Sequence, residues 1–178
     1  MLEGDSILLT PLDPGDISQD YVSWLNDPDT YRYLGTKFGQ TVSSLRRYVE
    51  SIQPPNLLCK IVRKVDGAHI GNIALHQFDA VHRRMEIGIV IGAAEARGKG
   101  FGREACSLIA QFGFDHLNLH KITAGTVTDN VGMTRVFQSL GFAIEGTLAE
   151  HFFLEGRYHD VHRFGLLRTA FRPLNRAH

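Results

Sequence analysis

A chain of 178 residues has room for one domain with a substantial core, and residues 1–178 are expected to form a single domain. Nineteen basic and nineteen acidic side chains cancel, which removes the net basic field that nucleic-acid or membrane-surface binding needs. With 43% apolar residues the chain is expected to fold rather than stay disordered, and no apolar run reaches the about 18 residues of a membrane span.

The opening segment, MLEGDSILLTPL, sets acidic residues ahead of a short apolar run, the reverse of a secretory signal. Cys59 and Cys106 stand far apart and read as reduced thiols, so a cytoplasmic location is expected. Residues 7–12 (ILLTPL) read as a first strand. Ile17, Tyr21, Trp24 and Leu25 follow at helical spacing, and Pro28 is expected to close that helix. Thr41 can cap a second helix running to about Ile52, ahead of Pro54 and Pro55. The runs 57–65 and 69–78, joined by the turn dipeptide Asp66-Gly67, predict a hairpin, with 84–92 as a third strand. A helix from about Gly102 to His116, a strand at 121–129 and a short helix from Val131 to Leu140, ended by Gly141, come next. Two long strands around Glu155-Gly156 close the chain. The order β-α-α-β-β-β-α-β-α-β-β is mixed α/β (α+β), a sheet partly antiparallel and flanked by helices. His116 and His120 have i,i+4 spacing but lack the glutamate of a zinc-protease helix, so they read as surface histidines and no metal is expected.

The segment EARGKGFGREA, residues 95–105, carries the chemistry. A dinucleotide loop would need G-x-G-x-x-G and a Walker loop G-x-x-x-x-G-K-[ST]; neither is present. The pattern of acyl-CoA loops, [Q/R]-x-x-G-x-[G/A], is matched by Arg97, Gly98, Lys99, Gly100, Phe101 and Gly102. A pyrophosphate at a helix start is bound by unpaired N–H groups and the helix dipole, and glycines let the backbone approach it. Arg97, Lys99 and Arg103 supply charge for the pyrophosphate or a 3′-phosphate. The alternative is a flexible turn with a capping glycine. Just upstream, MEIGIVIG offers a strand edge for the two amides of pantetheine, through the backbones of Ile89, Val90 and Ile91. Downstream, VTDNVGMTRVFQSLGF supplies Asn130 and Phe137.

On these residues the sequence resembles the GNAT superfamily of acetyl-CoA-dependent N-acetyltransferases, with the motifs covering about 85–142. The flanks YVSWLNDPDTYRYLG and GTLAEHFFLEGRYHDVHRFGLL extend the likeness to the branch that acetylates ribosomal-protein N-termini, spermidine and nucleotide amino sugars. The resemblance implies the GNAT fold, with a central, mostly antiparallel sheet, acetyl-CoA as acyl donor and no metal. It also implies direct attack of an amine on the thioester, a base to take a proton, and the Val90 N–H as oxyanion donor. Glu86, the lone carboxylate in an apolar strand, is the candidate base; the alternative is a cross-strand pair with Arg83, Arg84 or Lys60. The family's Asn-x-x-Ser-x-x-x-Tyr pattern departs here to Met133 and Phe137. Phenylalanine cannot donate a proton, which leaves water or Tyr158 to protonate the departing thiolate. Phe137 packs beside the thioester or simply in the core; Asn130 bonds pantetheine, caps the 131–140 helix, or does both. Cys106, on the core side of its helix, is not expected to be a nucleophile.

In this fold the acceptor pocket lies between the first helices and the last strands. Tyr21, Trp24, Asn26 and Tyr31 are candidate contacts from one side, Glu150 and His151 from the other, with Tyr21 and Trp24 also reading as core anchors. The WLND and EGRYHDV segments put an amino sugar first among acceptors, a protein N-terminus second and a polyamine third. A catalytically silent acyl-CoA-binding domain is the reading from another class. The 142–168 hairpin offers an edge for a homodimer.

Overall fold

A computed structural model describes residues 1–31, 33 and 39–174. The strands are β1 (Leu2–Glu3), β2 (Ile7–Pro11), β3 (Leu57–Arg63), β4 (His69–Asp79), β5 (Arg84–Ile91), β6 (Lys121–Val127), β7 (Ala143–Leu154) and β8 (Arg157–Leu167). The helices are α1 (Gln19–Asn26), α2 (Pro28–Tyr31), α3 (Val42–Ser51), α4 (Phe101–Asp115) and α5 (Val131–Ser139). Among the described residues the strands make one eight-stranded sheet in the order β1-β2-β3-β4-β5-β6-β8-β7. Neighbours are antiparallel except β5 and β6, which run parallel. No helix among the described residues is long and apolar enough to cross a membrane.

Two-residue alternation divides the central strands into a dry face and a hollow face. Ile73 and Leu75 of β4 and Met85 and Ile87 of β5 are buried with Ile109, Ala110 and Phe114 of α4 in the main core. Cross-strand partners Asn72↔Val90, Ala74↔Gly88 and His76↔Glu86 share the opposite face. A second cluster, Leu12, Ile17, Tyr21, Val22, Leu25, Leu45 and Val49, packs α1 and α3 together on that side.

The structure departs from the sequence reading, or adds to it, in four places. Two residues, Leu2–Glu3, add an edge strand against β2, too short to show any periodicity. Pro28 opens a new helix instead of merely closing the first: α1 ends at Asn26, and α2 starts at Pro28, where proline's missing N–H costs nothing. Ser18 caps α1 through the Tyr21 N–H at 3.2 Å, which leaves Ile17 outside the helix though buried. The last strand also lies inside its predecessor. β8 brings Val161, Phe164 and Leu166 to the core and takes the place beside β6, while β7 is exposed over nearly its whole length and forms the edge.

α1 is pinned to the end of β5 by one close approach. Gly92 lies against the ring of Trp24, where any Cβ would collide with the indole; the same ring meets His69 edge-on at 5.2 Å. Gly92→Ala is expected to cost about 1–3 kcal/mol, as overpacking does. Denaturant unfolding followed by the emission of Trp24, the chain's single tryptophan, reads both the lost stability and the displaced ring.

Candidate active site

β5 and β6 pair only from Arg84↔Lys121 to Ile87↔Ala124. Beyond that point β6 stays with β8, while β5 stays with β4 and runs on to Ile91. The sheet therefore splits, and the split opens two clefts that share a wall formed by Tyr33, Ile87, Gly88, Ile89, Val90 and Gly125. One, of about 710 Å³, lies toward α4 and α5; the other, of about 550 Å³, lies toward α1, α3 and the β7–β8 hairpin. Both fall in the size range of small-molecule sites.

The larger cleft gathers the glycine loop and the start of α5. Gly98 and Gly100 have φ of +73° and +87°, left-handed values that glycine adopts without strain, and a Cβ on either would meet nothing within 4 Å. Gly100 is the N-cap of α4 and has no side chain to bond the first turn, so its leading N–H groups face outward with the positive end of the helix dipole. Arg97, Gly98, Gly100, Phe101, Gly102 and Arg103 line this cleft; Lys99 lies in the loop but not on the wall. Arg97 is already committed within the fold. Its Nε donates to Ile91 O (3.1 Å) and one terminal nitrogen to Gly92 O (3.0 Å) and Thr30 Oγ1 (2.6 Å). It locks α2 to the end of β5, and charge for an anion falls to Lys99 and Arg103.

Asn130 and Phe137 each combine the two roles weighed for them. The Asn130 side chain accepts the Met133 N–H at 3.1 Å as the cap of α5 and also lines the cleft. Phe137 lines the cleft and packs at a tilt in the core against Phe142 and Phe164, with ring centroids 5.0 and 5.1 Å away. Cys106 is fully buried, and burial pushes its thiol up to about 12, which makes it inert.

Backbone alternation corrects one expectation. The Gly92 N–H donates to Ile70 O at 3.0 Å across β4 and β5. In an antiparallel ladder the groups of successive residues point to opposite sides. Val90 thus turns its N–H toward β4, and its carbonyl lies against Gly71. Ile89 and Ile91 face the split, as the Arg97 bond to Ile91 O shows.

In the smaller cleft the structure brings together Tyr21, Glu86 and His151 and keeps other candidates away. Trp24 packs on Gly92 and His69 as a core anchor. Asn26 spends both ends of its amide on the 39–40 backbone, accepting from Gln40 N at 2.8 Å and donating to Gln40 O at 2.8 Å. Glu150 is exposed in a bulge of β7, and Tyr158 is 61% exposed against Phe153 on the hairpin; neither lines either of these two clefts. The side chain of Tyr31 lies outside the described residues. Glu86 forms an ion pair, but with none of the partners expected from sequence. Its two oxygens accept from Arg163 at 3.1 and 2.5 Å, a bidentate bond that crosses β6. Gly125 makes the crossing possible, since a Cβ there would stand 2.8 Å from Arg163 Nη1. Arg163, Tyr48 and His76 are among the lining residues that sequence reasoning did not assign. For His76 a signal existed, its place on the same strand face as Glu86.

Comparison with known proteins identifies the family. The model of the acetyltransferase (GNAT) domain matches residues 6–143, and the chain belongs to this family. It is 38% identical over 108 residues to a spermidine N(1)-acetyltransferase of Vibrio cholerae, covering 61% of each chain. The matched stretch thus spans about six tenths of that relative. An uncharacterized N-acetyltransferase of Bacillus licheniformis, p20, is 30% identical over 166 residues, 90% of both chains. Among solved structures, a Vibrio cholerae spermidine N-acetyltransferase in complex with CoA and spermine superposes with a TM-score of 0.85 at 27% identity, covering 93% of this chain and 97% of that one. Two of these three relatives are named for spermidine, and none for the amino sugar ranked first from sequence.

Gly100→Ala places an L side chain at φ +87°, at a cost of about 1–2 kcal/mol in that region. The variant is expected to bind CoA roughly tenfold more weakly by calorimetry, in keeping with about 1.4 kcal/mol per factor of ten.

Proposed function

We propose that the chain is an acetyl-CoA-dependent N-acetyltransferase of small primary amines, with a polyamine as the leading acceptor. One observation carries the reading: the two clefts meet along a shared wall at the split of β5 from β6. The cleft beside the helix start suits a diphosphate-bearing donor, and the cleft beyond the wall suits the amine.

The donor is held by N–H groups at the head of α4, by Lys99 and Arg103, and by the β5 edge that Ile89 leaves open ahead of the Ile91 carbonyl that Arg97 holds. That edge can receive pantetheine as an added strand and lead the thioester to Gly88. The oxyanion formed on attack is bonded by the N–H of Ile89, the one near the wall that faces the split.

A polycationic acceptor calls for negative charge or aromatic faces. Glu86, the carboxylate of this cleft, is neutralised by Arg163, so the faces of Tyr21, Tyr48 and Phe152 supply most of the attraction. Burial raises the Tyr21 hydroxyl to about 12 and raises that of Tyr48, which keeps both as neutral phenols.

Incubation with acetyl-CoA and spermidine is expected to release CoA and yield a monoacetylated polyamine by mass spectrometry. Faster release with a nucleotide-linked amino sugar or a peptide N-terminus would displace the polyamine. CoA binding with no release on any of these amines would mark a silent binding domain.

A further inference from the structure

We propose that His76 is the base that takes the proton from the acceptor ammonium, with Glu86 and Arg163 as positioning residues. The proposal rests on the acetyl-transfer reading above and assigns a residue to its first chemical step.

Both oxygens of Glu86 are engaged by the Arg163 guanidinium, which leaves that carboxylate poorly placed to accept a proton. His76 stands directly opposite Glu86 in the β4–β5 register and on the same face. Its ring reaches along the floor of the acceptor cleft to Gly88: Nε2 lies 3.3 Å from where a Cβ of Gly88 would be. Gly88 belongs to the wall common to both clefts, so this nitrogen sits where acceptor and thioester meet. Among the described residues neither ring nitrogen of His76 makes a hydrogen bond, and one lone pair is available to a ligand. The other histidine on this strand differs. His69 Nε2 is held by Gly71 O at 3.0 Å and Asn72 Oδ1 at 3.1 Å.

The backbone is shaped around the same residue. β4 pairs regularly up to His76↔Glu86, then slips register and resumes at Asp79↔Arg84. Gln77, next to His76, has φ +57°, left-handed for a residue with a side chain. Such bulges re-aim side chains beside active sites, and strain of this kind collects where geometry is functionally constrained.

The electrostatics fit a base. Half-burial lowers the His76 pKa from its ordinary value, so the imidazole is neutral near pH 7, and the Glu86 carboxylate opposes this by favouring the imidazolium that catalysis forms. Among the described residues, most of the other groups around this face are spent or neutral. Arg163 is tied to Glu86, Arg84 to Asp79 at 3.1 Å and Lys60 to Asp16 at 2.7 Å, and Tyr21 and Tyr48 are phenols. His151 lines the cleft from β7.

The protons balance. His76 takes one from R–NH₃⁺, and the freed amine attacks the thioester carbon. A C–N bond forms, the C–S bond breaks, and a second proton of the attacking nitrogen passes to the departing sulfur. The products are the amide and the CoA thiol, and the imidazolium returns its proton to solvent.

The test compares His76→Gln and Glu86→Gln with the unaltered protein in a CoA-release assay with spermidine, run as a pH profile of kcat/KM. CoA affinity, measured by calorimetry, reports that each variant is folded. His76→Gln is expected to lose about a hundredfold or more in kcat with CoA affinity intact, and to lose the acid limb of the profile. Glu86→Gln is expected to keep measurable turnover while its acid limb moves to lower pH, because the charge that favours the imidazolium is gone. Turnover that survives His76→Gln, or that vanishes only in Glu86→Gln, overturns the assignment of His76 and leaves acetyl transfer standing. Failure of the unaltered protein to acetylate any amine while it binds acetyl-CoA overturns the acetyl-transfer reading itself, and this proposal with it.

Discussion

Ile87 and Ala124 are the last residues at which β5 and β6 hold each other, and the site depends on their parting there. Past this pair the edge of β5 carries backbone groups with no strand among the described residues to bond them, and such groups need a partner, whether solvent or ligand. Only a strand fixed on its other side can keep an open edge straight. β4 provides that, through unbroken pairing from Gly71↔Ile91 to His76↔Glu86. Arg97 secures the far end by bonding the carbonyls of Ile91 and Gly92. The open edge, the loop at the head of α4 and the wall between the clefts are consequences of a single interruption in one ladder.

Charge is handled locally. The chain has no net charge to steer a ligand, and the carboxylate nearest the split is matched by a guanidinium brought in from β8. A half-buried Glu86, 18% exposed at its side chain, would be costly without that partner. The pair gives the acceptor cleft a fixed polar corner of no net charge, and the remaining surface is largely aromatic and aliphatic. On the proposed reading, selection there rests on shape and on the faces of phenol rings more than on counting charges.

Much of the fold was legible because local pattern and final structure agree. The strand-like runs 69–78 and 84–92, the turn at Asp66-Gly67, the Thr41 cap and the glycine loop each follow from short-range physics, and each is found in place. What escaped the sequence is long-range. Arg163 lies seventy-seven positions from Glu86, and only the insertion of β8 beside β6 brings it across the notch at Gly125. Spacing placed Trp24 on α1 with Tyr21, but which of them reaches the cleft was decided by Gly92, which draws the indole into the core. Val90 was one position from the residue whose N–H faces the split, a difference set by ladder parity that no composition reveals. Tyr158 was attractive for its hydroxyl, yet the hairpin carries it away to Phe153.

Phe137 shows how the proton economy of such a site can differ while its architecture stays the same. Phe137 lines the donor cleft while its ring packs on Phe142 and Phe164, and phenylalanine has no hydroxyl with which to offer a proton there. The ring keeps its place in the aromatic core under α5 and brings no proton donor to that wall. The attacking nitrogen still brings two protons that the amide cannot keep. One base on the acceptor side suffices to start the reaction, and the second proton meets the thiolate as it leaves. On this account α5 contributes shape to the donor cleft, and the acid–base work moves to the strand face where His76 and Glu86 stand opposite one another.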